Sequence, residues 1–362
     1  MAAKIPAGLH KRRSEGADSK TLERALAEPL HRPLGHLRQG LALLGGVALV
    51  SYPFVFTGPF PIHIMIMIFL YALMAQAWNI LAGYCGQISL GHVVFFGIGA
   101  YASGFLFTKF GVMPWLGMGV GVVLSVIVAV LIGLPTLRLK GHYFAIATLV
   151  IGEIVQIVFL RWDAVGAASG FWLPIVRESP WRNFQFNQTK VPYYFIALVF
   201  LLAACAVVWQ LGRSRLGYYF RAIREDPEAA ASLGVNVTRY KAYAFMLSGG
   251  LMSLAGSFYA HYVLVVDPET VFPSTLSILV VLMAVMGGVG TLWGPVIGAA
   301  VLVPLSEATR IWFGGTGGTV DLMIYGVLIV LLSIYRPDGL VGLFQRRSTA
   351  VPTVAAPGEE TP

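Results

Sequence analysis

Charge is scarce in this sequence. Only 12% of its 362 residues are Asp, Glu, Lys or Arg, against roughly 25% in soluble globular chains. That shortage excludes an ordinary soluble domain. Cysteine is also rare. Cys85 and Cys205 lie in separate apolar neighbourhoods without metal-ligand spacing, so they read as unpaired packing residues and not as a disulfide or metal framework. No G-x-x-x-x-G-K-[ST] loop occurs, which excludes ordinary ATP binding by this chain. The H-E-x-x-H, G-x-S-x-G and paired-cysteine patterns are missing as well, leaving no support for hydrolase, metal or cofactor chemistry. Acidic residues inside apolar stretches are too few for a proton relay.

What is abundant is apolar surface. Hydrophobic residues make up 57% of the chain and the mean hydropathy is +0.75, the composition of a multi-pass membrane protein in contact with lipid. Apolar runs of about 17 to 25 residues, enough to cross a bilayer, fall near 41–57, 61–82, 88–109, 114–134, 143–160, 192–211, 242–265, 272–289, 292–313 and 320–335. The expected fold is therefore all-α, a polytopic bundle of about ten transmembrane helices over 41–345. It is flanked by a basic disordered tail at 1–40 and a second disordered tail at 346–362. The run from Val271 to Leu305 is about twice a bilayer's length, and Gly287, Gly288, Gly290 and Pro295 supply its break. Two helices joined by a tight turn, or one span with a re-entrant segment, both satisfy it.

The net charge of +8 is distributed in a way that argues against nucleic acid. With both termini cytoplasmic, 19 of the 25 Lys and Arg fall on the inner side, as the positive-inside rule requires. The aromatic-rich loop from Arg161 to Val191, with Trp162, Trp172 and Trp181, then lies outside as an interfacial belt or a docking surface.

One basic island interrupts the apolar pattern, from Gly212 to Lys241. Asp226 is placed to cap a helix opening at Pro227, Glu228 complements the positive end, and Ala229, Ala230 and Ala231 favour helix. Gly234 suits a left-handed stop, so a short cytoplasmic helix is expected over about 227–233.

Glu228-Ala229-Ala230, three residues, then Gly234 resembles the EAA-x3-G loop of ABC-importer permeases. Ala244-Phe245-Met246-Leu247 stands where many of those have I-x-L-P. A second stretch, Asn79 to Gly104, resembles the G-x-x-G-x-x-S-L-G-H segment of branched-chain amino acid permeases of the LivM type and of related urea and short-amide permeases. With Gly287 to Gly298 and Tyr335 to Leu340, the likeness covers roughly residues 40–345. The resemblance implies a subunit of a bacterial inner-membrane importer, itself not an enzyme. It also implies a second permease of the LivH type, two ATP-binding subunits and a periplasmic solute-binding protein. Arg221, Arg224, Asp226, Glu228, Ala229, Ala230 and Gly234 would then form the ATPase-coupling site.

Polar residues inside spans are costly and so mark sites. Asn79, Gln87, Ser89 and His92 cluster at a glycine-rich break, and Glu153 and Gln156 share a helical face; these six are the candidates for lining the translocation path. Gly290, Gly294 and Gly298 recur every four residues and are expected to form one flat packing face. A faint likeness between the spans around 83–101 and 287–301 is compatible with internal duplication. An ion-coupled carrier and a membrane enzyme are the other classes left open by the residues alone.

Overall fold

The computed structural model describes residues 45–56, 58–139, 141–176, 179–186, 188–313, 323, 326–327 and 339–343. Two units emerge, divided after Phe56. The first is described only by α1, Gly45–Val55, where a span is expected over 41–57. Its 11 residues measure about 17 Å. The expected tails, 1–40 and 346–362, and nearly all of the expected last span, 320–335, lie outside the described residues.

In the second unit, chain chemistry fixes where helices start. Pro59 opens α2 (Pro59–Asn79) and Pro114 opens α4 (Pro114–Thr136), each where a missing N–H costs nothing. Between them, α3 (Val93–Phe110) ends on Gly111 at φ 62°, a left-handed stop. There follow α5 (His142–Arg161), α6 (Pro180–Asn183), α7 (Val191–Arg213), α8 (Arg215–Glu225) and α9 (Pro227–Ser232). Next come α10 (Val237–Val263), α11 (Pro268–Val271), α12 (Ser274–Gly287) and α13 (Gly294–Phe313). Among the described residues six stretches are long and apolar enough to cross a membrane: Pro59–Tyr84, Val93–Phe110, Pro114–Thr136, His142–Arg161, Val191–Arg213 and Pro268–Gly287. The fold is thus an all-α, multi-pass membrane bundle.

At its centre is α10, packed on α2, α3 and α4. Small residues make that packing close. Gly99 lies against the Ser253 carbonyl, Gly256 lies under the Phe96 carbonyl, and the Ser257 hydroxyl donates to the Gly99 carbonyl at 2.9 Å. This is how helices associate when lipid supplies no hydrophobic drive between them. The outer face of α5 is opposite in character, with Tyr143, Ile146, Val150, Ile154 and Ile157 exposed.

Two features depart from expectation. Helix α3 starts at Val93, not near 88, because residues 86–92 form an irregular segment laid against α5. Gly91 abuts the Thr148 backbone, and Leu90 N–H donates to Thr148 Oγ1 at 3.1 Å. The apolar run after Val271 does break into two helices, but Gly290 belongs to the turn between them, at φ 79°. It therefore cannot share a helical face with Gly294 and Gly298. Those two glycines do pack the α12–α13 hairpin: a Cβ at Gly298 would strike the Met283 carbonyl, and one at Gly294 the Gly288 carbonyl.

The loop after α5 splits its aromatics. Phe184 is fully buried and meets Trp115 edge-on at 4.9 Å, while Trp162, Trp172 and Trp181 are exposed. Phe171–Trp172 pairs antiparallel with Val265–Val266, tying the loop to the end of α10.

Gly298→Ala is expected to destabilise the detergent-solubilised chain by about 1–3 kcal/mol through overpacking. Gly119→Ala, at a helical site with nothing within 4 Å of the added Cβ, should instead hold or raise the melting temperature, since alanine is favoured over glycine in a helix by about 0.5–1 kcal/mol. Equal melting shifts in the two variants would contradict this account of the hairpin.

Candidate coupling site

Ser214 ends α7 and caps α8, its hydroxyl accepting from Gly217 N–H at 3.2 Å. Gly217, Phe220 and Ile223 are buried, three apart along one face of α8, which fastens an otherwise polar helix to the bundle. The sequence reading places only one helix in this island. The serine cap followed by that apolar spacing is the signal for the other.

Helix α9 follows after a single residue. Asp226 Oδ1 accepts from Glu228 N–H at 2.8 Å and from Ala229 N–H at 3.1 Å, and Gly234 adopts φ 85°. The helix ends at Ser232, a residue before the expected Leu233, because Gly234 N–H already turns back to the Ala231 carbonyl. Ala230 is buried. Glu228, Ala229, Ala231 and Leu233 face outward, Leu233 being 86% exposed.

The two arginines turn toward their own chain. Arg221 donates to the Gly212 carbonyl at 2.6 Å, with its guanidinium 6.0 Å from the Tyr84 ring centre. Arg224, in the last turn of α8, donates from Nη1 to the Gly83 carbonyl at 2.6 Å, a charge-assisted bond. Gly83 lies in a π-helical turn, Ile80–Tyr84, that continues α2. A Cβ placed on Gly290 would come within 2.6 Å of the same Arg224 nitrogen, and one on Gly86 within 3.1 Å of Arg224 Cα. The end of α8 thus sits where the break after α2 meets the break between α12 and α13.

Those breaks are stitched together by buried amides. Asn79 Oδ1 accepts from Gly290 N–H at 2.8 Å, and Asn79 Nδ2 donates to the Thr291 carbonyl at 2.9 Å. Gln76, one turn earlier on the same face, donates to the Leu292 carbonyl at 2.5 Å. Gln76 is not among the candidates taken from the sequence, although its i,i+3 spacing from Asn79 inside an apolar span marks it.

The other candidates for a solute path divide. His92, Ser89 and Gln87 are all buried. Ser248 Oγ donates to the Ala77 carbonyl at 2.5 Å, so its oxygen accepts the Nε2–H of His92 at 2.6 Å. His92 Nδ1 and Ser89 Oγ are buried without a hydrogen-bond partner among the described residues. The Ser89 carbonyl accepts from Trp78 Nε1 at 2.8 Å. Glu153 and Gln156 lie elsewhere, half-buried on α5, with Gln156 Nε2 3.5 Å from the Pro268 carbonyl. Among the described residues no group of three or more His, Cys, Asp or Glu side chains is arranged to hold a metal ion.

Known proteins resemble this chain over most of its length. The family described as "Branched-chain amino acid transport system / permease component" matches residues 60–332. The chain belongs to that family. It is 32% identical to the high-affinity branched-chain amino acid transport system permease protein LivM of Salmonella typhimurium, over 83% of this chain and 74% of that protein. The LivM protein of Escherichia coli is 30% identical over 90% of this chain and 80% of its own length. The LivH permease protein of S. typhimurium is 26% identical over 75% and 91%. No solved structure matches. Within this permease component, the family match takes in Asn79, Arg224, α9 and the hairpin of α12 and α13.

Replacing Asn79 by Leu removes two bonds to the 290–291 turn and leaves partly buried backbone groups unpaired, a loss of up to about 1–3 kcal/mol for each such group. Hydrogen exchange at Gly290 should accelerate strongly in Asn79→Leu. In Asn79→Asp, which keeps the acceptor, it should accelerate less; unchanged exchange in both variants would contradict the assignment.

Proposed function

We propose that this chain is the membrane-spanning subunit of an ABC importer for branched-chain amino acids, driven by ATP hydrolysed in separate subunits. The reading is supported by what its relatives are named for and by the exposed, capped helix α9 at one end of the bundle. Its partners are two ATP-binding subunits, a second permease of the LivH type and a periplasmic binding protein, assembled in a bacterial inner membrane with both termini of this chain cytoplasmic.

The observation that carries the mechanism is the bond from Arg224 to Gly83. Asp226 is at once the last cap of α8 and the first of α9, so a push on α9 is delivered to α8 through one residue. Asp226, Glu228, Ala229, Ala230 and Gly234 build and present the contact to the ATPase. Arg221 and Arg224 work on the inner side, carrying displacement of α8 to the π turn of α2 and to the turn at Gly290. Both receiving points are non-helical or irregular, and such breaks permit change at lower cost than an intact α-helix.

Asn79, Gln87, Ser89 and His92 lie on the segment that this movement would shift, and the unpartnered Ser89 Oγ and His92 Nδ1 are available to a passing polar solute. Glu153 and Gln156 contribute from α5. Gly294 and Gly298 let the hairpin of α12 and α13 slide as a closely packed pair, with Gly290 as its joint.

In vesicles holding the complete transporter, Glu228→Lys should leave this chain inserted and abolish ATP-dependent leucine uptake. Arg224→Gln should leave the ATPase bound but lower leucine imported per ATP hydrolysed about tenfold, the lower end expected for a charge-assisted bond of about 1.5–3 kcal/mol. Wild-type uptake in Glu228→Lys, or wild-type stoichiometry in Arg224→Gln, would refute the route.

A further inference from the structure

A cavity of about 190 Å³ lies among α2, α10, α12 and α13, away from every residue of the coupling site. Its wall includes Glu307 and Arg310, in the last two turns of α13, together with Met67, Leu279, Met283 and Val303. Since α13 begins beside the turn at Gly290, the charged pair is at the end of the bundle remote from α9.

Three properties define what would fit. The volume is below the ~300–1,000 Å³ of sites for drug-sized ligands, which suits one small solute and not a peptide. One wall is apolar and non-aromatic, formed by Met67, Leu279, Met283 and Val303, and suits an aliphatic group. The other carries both signs of charge within one helical turn. Glu307 and Arg310 approach only to 3.5 Å, with the Arg310 side chain 67% exposed and that of Glu307 18%. A pair so long and so exposed contributes little to stability, yet it leaves the largely buried Glu307 carboxylate beside the apolar wall of the cavity.

We infer that this cavity binds the zwitterion of an aliphatic α-amino acid, its carboxylate on Arg310, its ammonium on Glu307 and its side chain against Met67, Leu279, Met283 and Val303. The choice of an amino acid rests on the import reading above, but the site itself makes a demand independent of import. Both charges of the ligand must be present, because a carboxylate or an amine alone leaves one protein charge without its counter-ion. Solute entering from the side remote from the ATPases meets this cavity before the break at Asn79.

The test is equilibrium binding of radiolabelled leucine to the assembled transporter in nanodiscs, without binding protein. Wild type should bind saturably, and Glu307→Gln and Arg310→Gln should each weaken binding at least tenfold. Neither 4-methylpentanoate nor isopentylamine should displace leucine below ten times its own effective concentration. Met283→Phe, which narrows the cavity without altering charge, should weaken leucine more than alanine, a discrimination that misfolding does not produce. No saturable binding, wild-type affinity in both charge variants, or displacement by either singly charged analogue at the concentration of leucine overturns the site. ATP-driven leucine uptake by the same wild-type transporter, reconstituted in vesicles with its binding protein, separates the two readings. Uptake with unaltered variants overturns the cavity alone, and charge-dependent binding without uptake overturns the import reading alone.

Discussion

A backbone carbonyl that loses its helical partner inside a membrane has no water to turn to, and much of this structure is arranged around that constraint. In a continuing α-helix the Gly83 carbonyl would accept from Gln87 N–H. The left-handed stop at Gly86, φ 72°, sends Gln87 N–H to the Leu81 carbonyl instead, at 3.1 Å, and the guanidinium of Arg224 takes the freed acceptor. Across the contact, the turn at 288–293 exposes its own groups, and Asn79 and Gln76 supply partners for Gly290 N–H and for the Thr291 and Leu292 carbonyls. Three side chains therefore satisfy four backbone groups. The helices can break there because those residues exist, and the breaks are held in register because the bonds cross from one to the other.

The same constraint explains why the central helix is not among the most apolar. Helix α10 touches protein on most sides, so its solvent is other side chains and backbone, not lipid. Serine and glycine there gain close approach and short hydrogen bonds: Ser248 joins the Ala77 carbonyl to His92, and Ser257 reaches Gly99. A parallel arrangement recurs one level away, where Ser103 Oγ meets His261 Nε2 at 2.7 Å. By contrast α4 and α5 present long apolar side chains outward and small ones inward, Gly117, Gly121, Ser125 and Ala129 on the one and Thr148 and Gly152 on the other. Polarity in this bundle follows what each face meets.

These physical differences decide what a reader of the sequence can see. The helical class was legible because stretches such as Pro114–Thr136 are apolar for longer than a soluble core needs, and α9 because a capping aspartate, a proline and a run of alanines act within a few residues. The start of α3 was not, since apolar Val93 and Val94 follow apolar Ile88 and Leu90, and nothing local shows that Gly91 must fit against the Thr148 backbone. Gly290 was misplaced on a helical face for a related reason. A spacing of four is indifferent to whether the first residue is helical, and only contact with Arg224 and Asn79 makes it a turn. Arg221 and Arg224 were expected in the basic island at 212–241, where they lie, but their direction is a tertiary fact. An arginine on a polar island can reach outward to a partner or inward to a carbonyl 141 positions away, and the sequence is the same in both cases.

Helix α2 gives these separate features a common mechanical element. His63 and Met67 line the cavity near its beginning, while Gln76, Asn79 and the π turn at Gly83 lie at its other end. The 20 residues from His63 to Gly83 span about 30 Å at a helical rise, close to the thickness of a hydrocarbon core. Its second half is buried almost without interruption, and packed interiors resist small continuous deformation. Displacement at Gly83 is therefore more readily expressed as a shift of the whole helix than as bending absorbed along it. A shift of that kind would move the cavity wall at Met67 relative to Glu307 and Arg310, which are carried by a different helix. Affinity at the far end would then change with the state of the coupling site, without any side chain reaching from one to the other.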